Sequence, residues 1–400
     1  MESNLFPRSQ TVSTALAQVM LASYDAILTR LPLPLTTMAA NFSSVPVLDY
    51  AQTASPELRP QFIRELQHAL INVGFLYLAN VPVQTDELLR YIPKLFALPQ
   101  EEKNKIAMVN SKHFLGYNKL GAEFTKGATD WREQFDIATP HVSRFVEGRG
   151  DPDYWSLWGP SQWPSEDLIP GFKATMEKYL LEVQELSYNF ANLISEALGL
   201  PQGSLAQFYD RPEFMQHRGK IVCYPQTDRP AQGVGPHYDA GFLTFLLQAS
   251  DHKGLQVQNL TGDWIDVPPI PNTFVVNIGR ALEFVTRGLA RATSHRVISP
   301  SDNTVPGPRY SVPFFQNIGL DVRLTEHVLN FPPEILQLRD ARGELNATDS
   351  VNFTEFDREP SGRVNLIGRV KSHPDVAERH YPELFRQIFP NGAPAQVSAY

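Results

Sequence analysis

The sequence predicts a mainly β fold with flanking helices, an α+β arrangement in which helices come first and a sandwich or barrel of short strands follows. Three observations carry this. Apolar residues recur every three or four positions through much of the first half. From about residue 219 the period drops to two, and turn residues such as Thr261-Gly262-Asp263 separate the short apolar runs. A period near 3.6 marks the buried face of a helix and a period of two that of a strand. Many short strands at this spacing argue for a sandwich or a barrel.

Ordered pattern begins at Val45-Pro46-Val47-Leu48-Asp49-Tyr50, which alternates as a strand does. Leu58, Phe62, Leu66 and Leu70 then repeat as one face of a helix that Gly74 can close at its C-cap. Phe75-Leu76-Tyr77-Leu78 reads as a buried strand. A second helix is expected over 86–98 and a third, short one from Pro99. Residues 110–165 show little periodicity and much Gly, Pro and Trp, so they read as loop, where substrate contacts often sit. Phe172, Met176, Leu180, Val183, Leu186, Phe190, Leu193 and Leu198 form one apolar face of a long helix over 166–199. Strands are expected over 219–224, 242–248, 255–258, 264–267, 273–278, 293–298 and 309–315, and a polar helix over 374–388.

Composition bounds the function classes. The chain has 400 residues, 42% of them hydrophobic, and a net charge of −8. An acidic chain gives no support to nucleic-acid or anionic-membrane partners, which want a basic face. No run approaches the ~20 apolar residues that span a bilayer. The single cysteine, Cys223, excludes an intramolecular disulfide and any Cys-based zinc or iron–sulfur site. It sits in the apolar run Ile221-Val222-Cys223-Tyr224 and reads as a buried strand residue. A chain of this size without disulfides suits a reducing compartment, so a cytoplasmic location is expected. The first 40 residues are Ser/Thr-rich with few charges and read as a disordered or weakly helical extension. An organellar signal there is the alternative, and Met38 offers a second start.

His237-Tyr238-Asp239 carries the chemistry. His and Asp two apart on an extended chain share a side and can reach one ion. His295, on a later strand, supplies a third ligand. Two imidazoles and a carboxylate suit a non-haem Fe(II) centre, whose open positions admit a cosubstrate and O2. The tripeptide alone is weak, since with 43 acidic residues and ten His about one match arises by chance. A second, His373-Pro374-Asp375, reads as the start of a surface helix because its proline cannot donate to a ladder. Arg309-Tyr310-Ser311 strengthens the first. Alternation puts Arg309 and Ser311 on one face, where a guanidinium and a hydroxyl can grip a carboxylate. Tyr224 could offer its phenol to the same group.

The chain resembles the iron- and 2-oxoglutarate-dependent oxygenases of the isopenicillin N synthase-like group, and its ending resembles fungal members. The resemblance runs from Val45 to Phe389. It is carried by Val45-Pro46-Val47-Leu48-Asp49, Val73-Gly74-Phe75-Leu76-Tyr77, Leu98-Pro99-Gln100-Glu101-Glu102-Lys103 and Gly116-Tyr117. In the second half it rests on His237-Tyr238-Asp239, Gly254-Leu255-Gln256-Val257, Val276-Asn277-Ile278-Gly279, His295-Arg296-Val297, Arg309-Tyr310-Ser311-Val312-Pro313-Phe314-Phe315 and Gly368-Arg369-Val370-Lys371-Ser372-His373-Pro374. It departs from the family at Arg280, where an Asp is usual, and at Val222, where plant members often place an Asn.

The resemblance implies a double-stranded β-helix, a distorted jelly roll. It divides the chain into an extension over 1–44, a mixed helical region over 45–210, the catalytic core over 211–325 and a C-terminal loop and helix over 326–400. It implies that His237, Asp239 and His295 hold Fe(II). Arg309 and Ser311 then hold the far carboxylate of 2-oxoglutarate, with Tyr224 assisting. O2 is the oxidant, succinate and CO2 are released, and a small organic molecule, on fungal analogy one of secondary metabolism, is hydroxylated, desaturated, cyclised or demethylated. No protein general base is needed. Two alternatives share the scaffold: an oxidase that does not use 2-oxoglutarate, and a non-catalytic ligand-binding module, whose usual sign is a lost metal ligand. Candidate pocket residues are Tyr117, Lys119, Phe124, Trp131 and Phe315; their aromatics suggest an apolar or ring-bearing substrate. Lys119 or Arg280 could meet an anionic one. No oligomeric state is set by the pattern, and a monomer is compatible with it.

Overall fold

The computed structural model describes residues 41–125, 128–301, 304–342 and 359–393. The expected extension lies outside the described residues apart from 41–44. Strands β1 (Val47–Asp49) and β2 (Phe75–Ala79) pair in parallel. Between them helix α1 (Arg59–His68) buries Phe62 and Leu66, then widens into a π turn over Ala69–Val73 that stops at Gly74. Gly74 has φ of +74°, and a Cβ there would lie 2.2 Å from the Arg291 carbonyl oxygen. Both conformation and space demand glycine at this entry to β2. Helices α2 (Asp86–Phe96) and α3 (Gln100–Lys105) follow where predicted.

The stretch expected as loop contains four short strands: β3 (Gly116–Asn118), β4 (Phe124–Thr125), β5 (Ala128–Thr129) and β6 (Glu133–Ala138). Their signal is hidden because β6 buries a polar face: Gln134 and Asp136 are as buried as Phe135 and Ile137. The long helix α4 (Phe172–Ala197) precedes the β region. That region comprises β7 (Arg218–Tyr224), β8 (Gln232–His237), β9 (Leu243–Gln248), β10 (Leu255–Gln258), β11 (Trp264–Asp266), β12 (Thr273–Ile278), β13 (His295–Ile298) and β14 (Arg309–Gln316). All but β8 match predicted strands. Gly233, Gly235 and Pro236 are poor strand formers and hide it. The glycines are used: a Cβ at Gly233 would lie 2.8 Å from the Tyr224 ring, and one at Gly235 the same distance from the Thr125 methyl.

An eight-stranded sheet runs β1-β2-β12-β9-β14-β7-β6-β3, and a four-stranded sheet runs β11-β10-β13-β8. Alternate residues of the large sheet, among them Phe75, Tyr77, Val222, Tyr224 and Val275, pack against Val234, Leu255, Val257 and Val297 of the small one. The residues between, such as Leu76, Ile221, Cys223, Phe245, Val276 and Phe314, pack on the other face with α4. The result is a jelly-roll sandwich whose sheets do not close into a barrel. Cys223 lies on the helix side, and burial pushes its thiol up to about 12, so it is a packing residue.

The short helix α5 (Arg280–Val285) follows β12, and α6 (Pro333–Arg342) and α7 (Ser361–Ser372) follow the core. The polar helix expected over 374–388 is two helices, α8 (Pro374–His380) and α9 (Pro382–Ile388), separated at Pro382, which begins the second. They bury Val376, Ala377, Leu384 and Phe385. His373 does precede a helix, but it is buried against the Phe114 ring rather than at the surface. No helix among the described residues is long and apolar enough to cross a membrane.

Gly74→Ala should lower unfolding free energy by about 2–4 kcal/mol, from a strained backbone and a forced overlap. Urea denaturation checks this, and an unchanged midpoint would contradict the packing described.

Candidate metal centre

His237 ends β8 and His295 opens β13, and the two are directly opposed in the antiparallel ladder. Their ring centroids are 4.2 Å apart. Asp239 lies just past the strand, in the turn to β9, so it is not the same-face strand residue that spacing alone suggests. The turn brings it back. Its carbonyl accepts the Arg280 N–H at 2.8 Å, and Gly279 donates to the Phe242 carbonyl at 2.8 Å. A Cβ at Gly279 would lie 2.1 Å from the Gly241 oxygen, so only glycine lets these backbones meet.

Asp239 Oδ1 is 3.8 Å from His237 Nε2 and 3.9 Å from His295 Nε2. The three ligand atoms lie within 4.8 Å of one another, the only such grouping of potential metal ligands among the described residues. Each is oriented from behind. His237 Nδ1 lies 2.8 Å from the Gly235 carbonyl and His295 Nδ1 3.2 Å from that of Thr293, so each Nδ1–H donates outward and each Nε2 lone pair faces the centre. The Phe75 ring supports His295 edge-on at 5.2 Å. Asp239 Oδ2 accepts from Thr244 Oγ1 at 2.5 Å and from Asn277 Nδ2 at 2.8 Å, which leaves Oδ1 for the ion.

Burial, then the neighbouring His295, pushes His237 down to about 3. The ring is therefore neutral, the form that ligates. Burial also acts to raise Asp239, but the two histidines and the two hydrogen bonds outweigh it and hold the carboxyl below its usual range. Two imidazoles and a carboxylate fit a divalent iron-type ion with positions left for small ligands.

β14 turns Arg309, Ser311, Pro313 and Phe315 to the inter-sheet face, while Tyr310 stacks on Phe96 on the other at 5.8 Å. Arg309 is 1% exposed. Its Nη2 donates to Gln248 Oε1 at 3.2 Å, but Nε and Nη1 are buried without a hydrogen-bond partner. The guanidinium lies 5.0 Å from the Tyr224 ring centroid, and Tyr224 is its register partner on β7. A buried cation with two idle donors is costly unless an anion meets it. The far carboxylate of a small dicarboxylate can satisfy both donors and the charge.

The candidate pocket residues part company. Phe315 shares the face of Arg309 and pairs in register with Thr244. Tyr117 pairs with Phe135 on the opposite, helix-facing side, donates to Glu133 at 2.7 Å and is core. Lys119 is exposed. Phe124 is in β4 by its backbone, and its side chain lies outside the described residues. Trp131 is half-buried, and its backbone N–H donates to the Gln232 carbonyl on β8, the strand that ends at His237. Arg280 pairs with Glu283 and covers the Tyr238 ring. Sequence reasoning missed Thr244, Asn277 and Gln248 as supporting residues. Asn277 carried a signal, a polar residue inside the apolar run Phe274-Val275-Val276 and Ile278.

Family comparison agrees with this geometry. Residues 203–318 match the 2OG-Fe(II) oxygenase superfamily, and residues 45–166 match the N-terminal region described as non-haem dioxygenase in morphine synthesis. The 2-oxoglutarate-dependent dioxygenase frbJ of Dothideomycetidae sp. (strain 11243) is 41% identical, over 87% of this chain and 95% of that one. The chain belongs to the 2-oxoglutarate- and Fe(II)-dependent oxygenases. A Gibberella zeae 2-oxoglutarate-dependent dioxygenase is 37% identical to this oxygenase, over 87% of it and 94% of the relative. An Arabidopsis thaliana homoarginine-6-hydroxylase is 34% identical, over 66% and 72%. In fold, the oxygenase is similar to a full-length Neurospora crassa protein solved in complex with alpha-KG, with a TM-score of 0.61, 23% identity and coverage of 82% and 99%.

Thr244→Val and Asn277→Leu should each weaken metal binding about 10- to 100-fold with the fold retained. Anaerobic Fe(II) titration with circular dichroism checks this; unchanged affinity would contradict the orienting role.

Proposed function

We infer that this oxygenase uses iron held by His237, Asp239 and His295, with O2 and 2-oxoglutarate, to oxidise a small organic molecule. The single observation that carries the site assignment is the buried, under-partnered guanidinium of Arg309 beside a His/Asp/His group. When bound, iron and cosubstrate supply the O2-derived oxidant and release succinate and CO2. The chain's own residues position and exclude. Arg309 and Ser311 anchor one end of the cosubstrate, with Tyr224 beneath the guanidinium. Thr244 and Asn277 aim the carboxylate of Asp239, and the inter-sheet core of Val222, Val257 and Val275 keeps bulk water from the ligands.

A role in fungal secondary metabolism, within the isopenicillin N synthase-like group, is supported by the two fungal relatives. A cytoplasmic location is proposed from the single, buried cysteine. Succinate should appear one-for-one with oxidised substrate; turnover without succinate would contradict the reading. Arg309→Leu should weaken 2-oxoglutarate binding at least about 30-fold while leaving Fe(II) affinity intact. Calorimetry on both ligands checks this, and equal loss of both, or of neither, would count against the clamp.

A further inference from the structure

Beside the proposed cosubstrate clamp lies a buried to half-buried set of charges that iron and 2-oxoglutarate leave unused. Register places Gln134 and Asp136 of β6 and Lys220 of β7 on the same inter-sheet face as Val222 and Tyr224. Lys220 Nζ is 3.3 Å from Glu123 Oε1 and 3.5 Å from Asp136 Oδ1. Arg132 pairs with Glu123, and lies 3.5 Å from Asp130 Oδ2. The C-terminal helix region adds Arg369, 3.6 Å from Asp136, and His373, 3.3 Å from Glu123. The His-x-Asp match at 373, which reads as surface in the sequence, therefore reaches the wall of the site.

The set is continuous with the reaction centre. Tyr224, whose ring lies beneath Arg309, is among the groups that hold the Arg132 guanidinium in its charged form. Asp130 Oδ1 accepts the Gly235 N–H at 3.2 Å, two residues before His237. Two of its polar atoms are idle. Gln134 is 1% exposed and commits its Nε2 to Glu123 and Asp136, while its Oε1 is buried with no partner. Arg132 Nε is likewise buried and unpartnered. One acceptor and one donor thus await a ligand.

The ion pairs of this wall balance among themselves, with Arg132, Lys220 and Arg369 set against Glu123, Asp130 and Asp136, while Arg218 of the same β7 face is turned to the His113, Phe114 and Leu157 carbonyls. A ligand bearing one net charge would leave an uncompensated charge in a poorly solvated place. A zwitterion can exchange internal pairs for its own and keep the balance. A purely apolar ligand would satisfy neither idle atom.

We propose that this wall recognises the substrate, and that the substrate is a small zwitterion of the amino-acid type. Its ammonium meets Glu123 and Gln134, and its carboxylate meets Arg132 and Lys220. This rests on the centre being the 2-oxoglutarate-dependent one, and it differs from the apolar or ring-bearing substrate that the aromatic residues suggest.

The test uses the full chain loaded anaerobically with Fe(II) and 2-oxoglutarate. A panel of free α-amino acids with uncharged side chains is titrated by calorimetry beside the matched N-acetyl anions and methyl-ester cations. At least one zwitterion should bind about tenfold tighter than both of its derivatives. Glu123→Gln adds one positive charge to the wall, so preference should move toward the anion. Lys220→Gln removes one, so preference should move toward the cation. Opposite shifts are something a merely structural role does not produce, and either variant alone carries the test if the other fails to fold. Binding of 2-oxoglutarate with no zwitterion preference, or with the same ranking in the variants, overturns this proposal alone. Failure of 2-oxoglutarate itself to bind overturns the underlying reading.

Discussion

Asp239 joins the two sheets at the proposed metal centre. One oxygen of its carboxylate is held by Thr244 and Asn277, neighbours across the β9–β12 ladder of the large sheet. The other faces two histidines opposed across the β8–β13 ladder of the small sheet. The ligand geometry is therefore set by how the sheets pack. The core between them, built on Phe75, Val222, Val257 and Val275, is in that sense part of the site. Close packing makes such an arrangement stiff, since interiors do not deform continuously.

The same alternation that builds the core also sorts the polar residues. Along β14 and β7 every second side chain faces the inter-sheet side, which puts Arg309, Ser311, Tyr224 and Lys220 on one face and Tyr310, Cys223 and Ile221 on the helix side. Near β12 and β9 the same face mixes Val275 and Leu246, which pack, with Thr244, Asn277 and Gln248, which hold Asp239 and Arg309. Towards β6 it becomes charged, and Arg369 and His373 extend it from the C-terminal helices. The proposed metal ligands thus lie between the apolar inter-sheet core and this charged region.

Much of this was legible from residue patterns. The strands carrying His295 and Arg309 showed clean alternation, and the three residues expected to share an ion, His237, Asp239 and His295, do come together. What escaped has physical causes. β8 is rich in Gly and Pro because it runs close against Tyr224 and Thr125, and such a segment does not read as a strand. β6 turns Gln134 and Asp136 inward, so a pattern that assumes polar residues face water takes it for loop. Tyr117 looked like a pocket residue from its place in the chain, yet register with Phe135 puts it on the far face. His373 pairs with Glu123, a residue from the other end of the chain, and no local pattern holds that information.

The central claim is that His237, Asp239 and His295 assemble one iron centre that takes 2-oxoglutarate. Adding Fe(II) and 2-oxoglutarate to the chain without oxygen tests it most directly. A visible charge-transfer band should grow and saturate at one iron and one 2-oxoglutarate per chain, and Asp239→Ala, folded as judged by circular dichroism, should show none. No band in the unaltered chain, or an undiminished band in Asp239→Ala, would contradict the account.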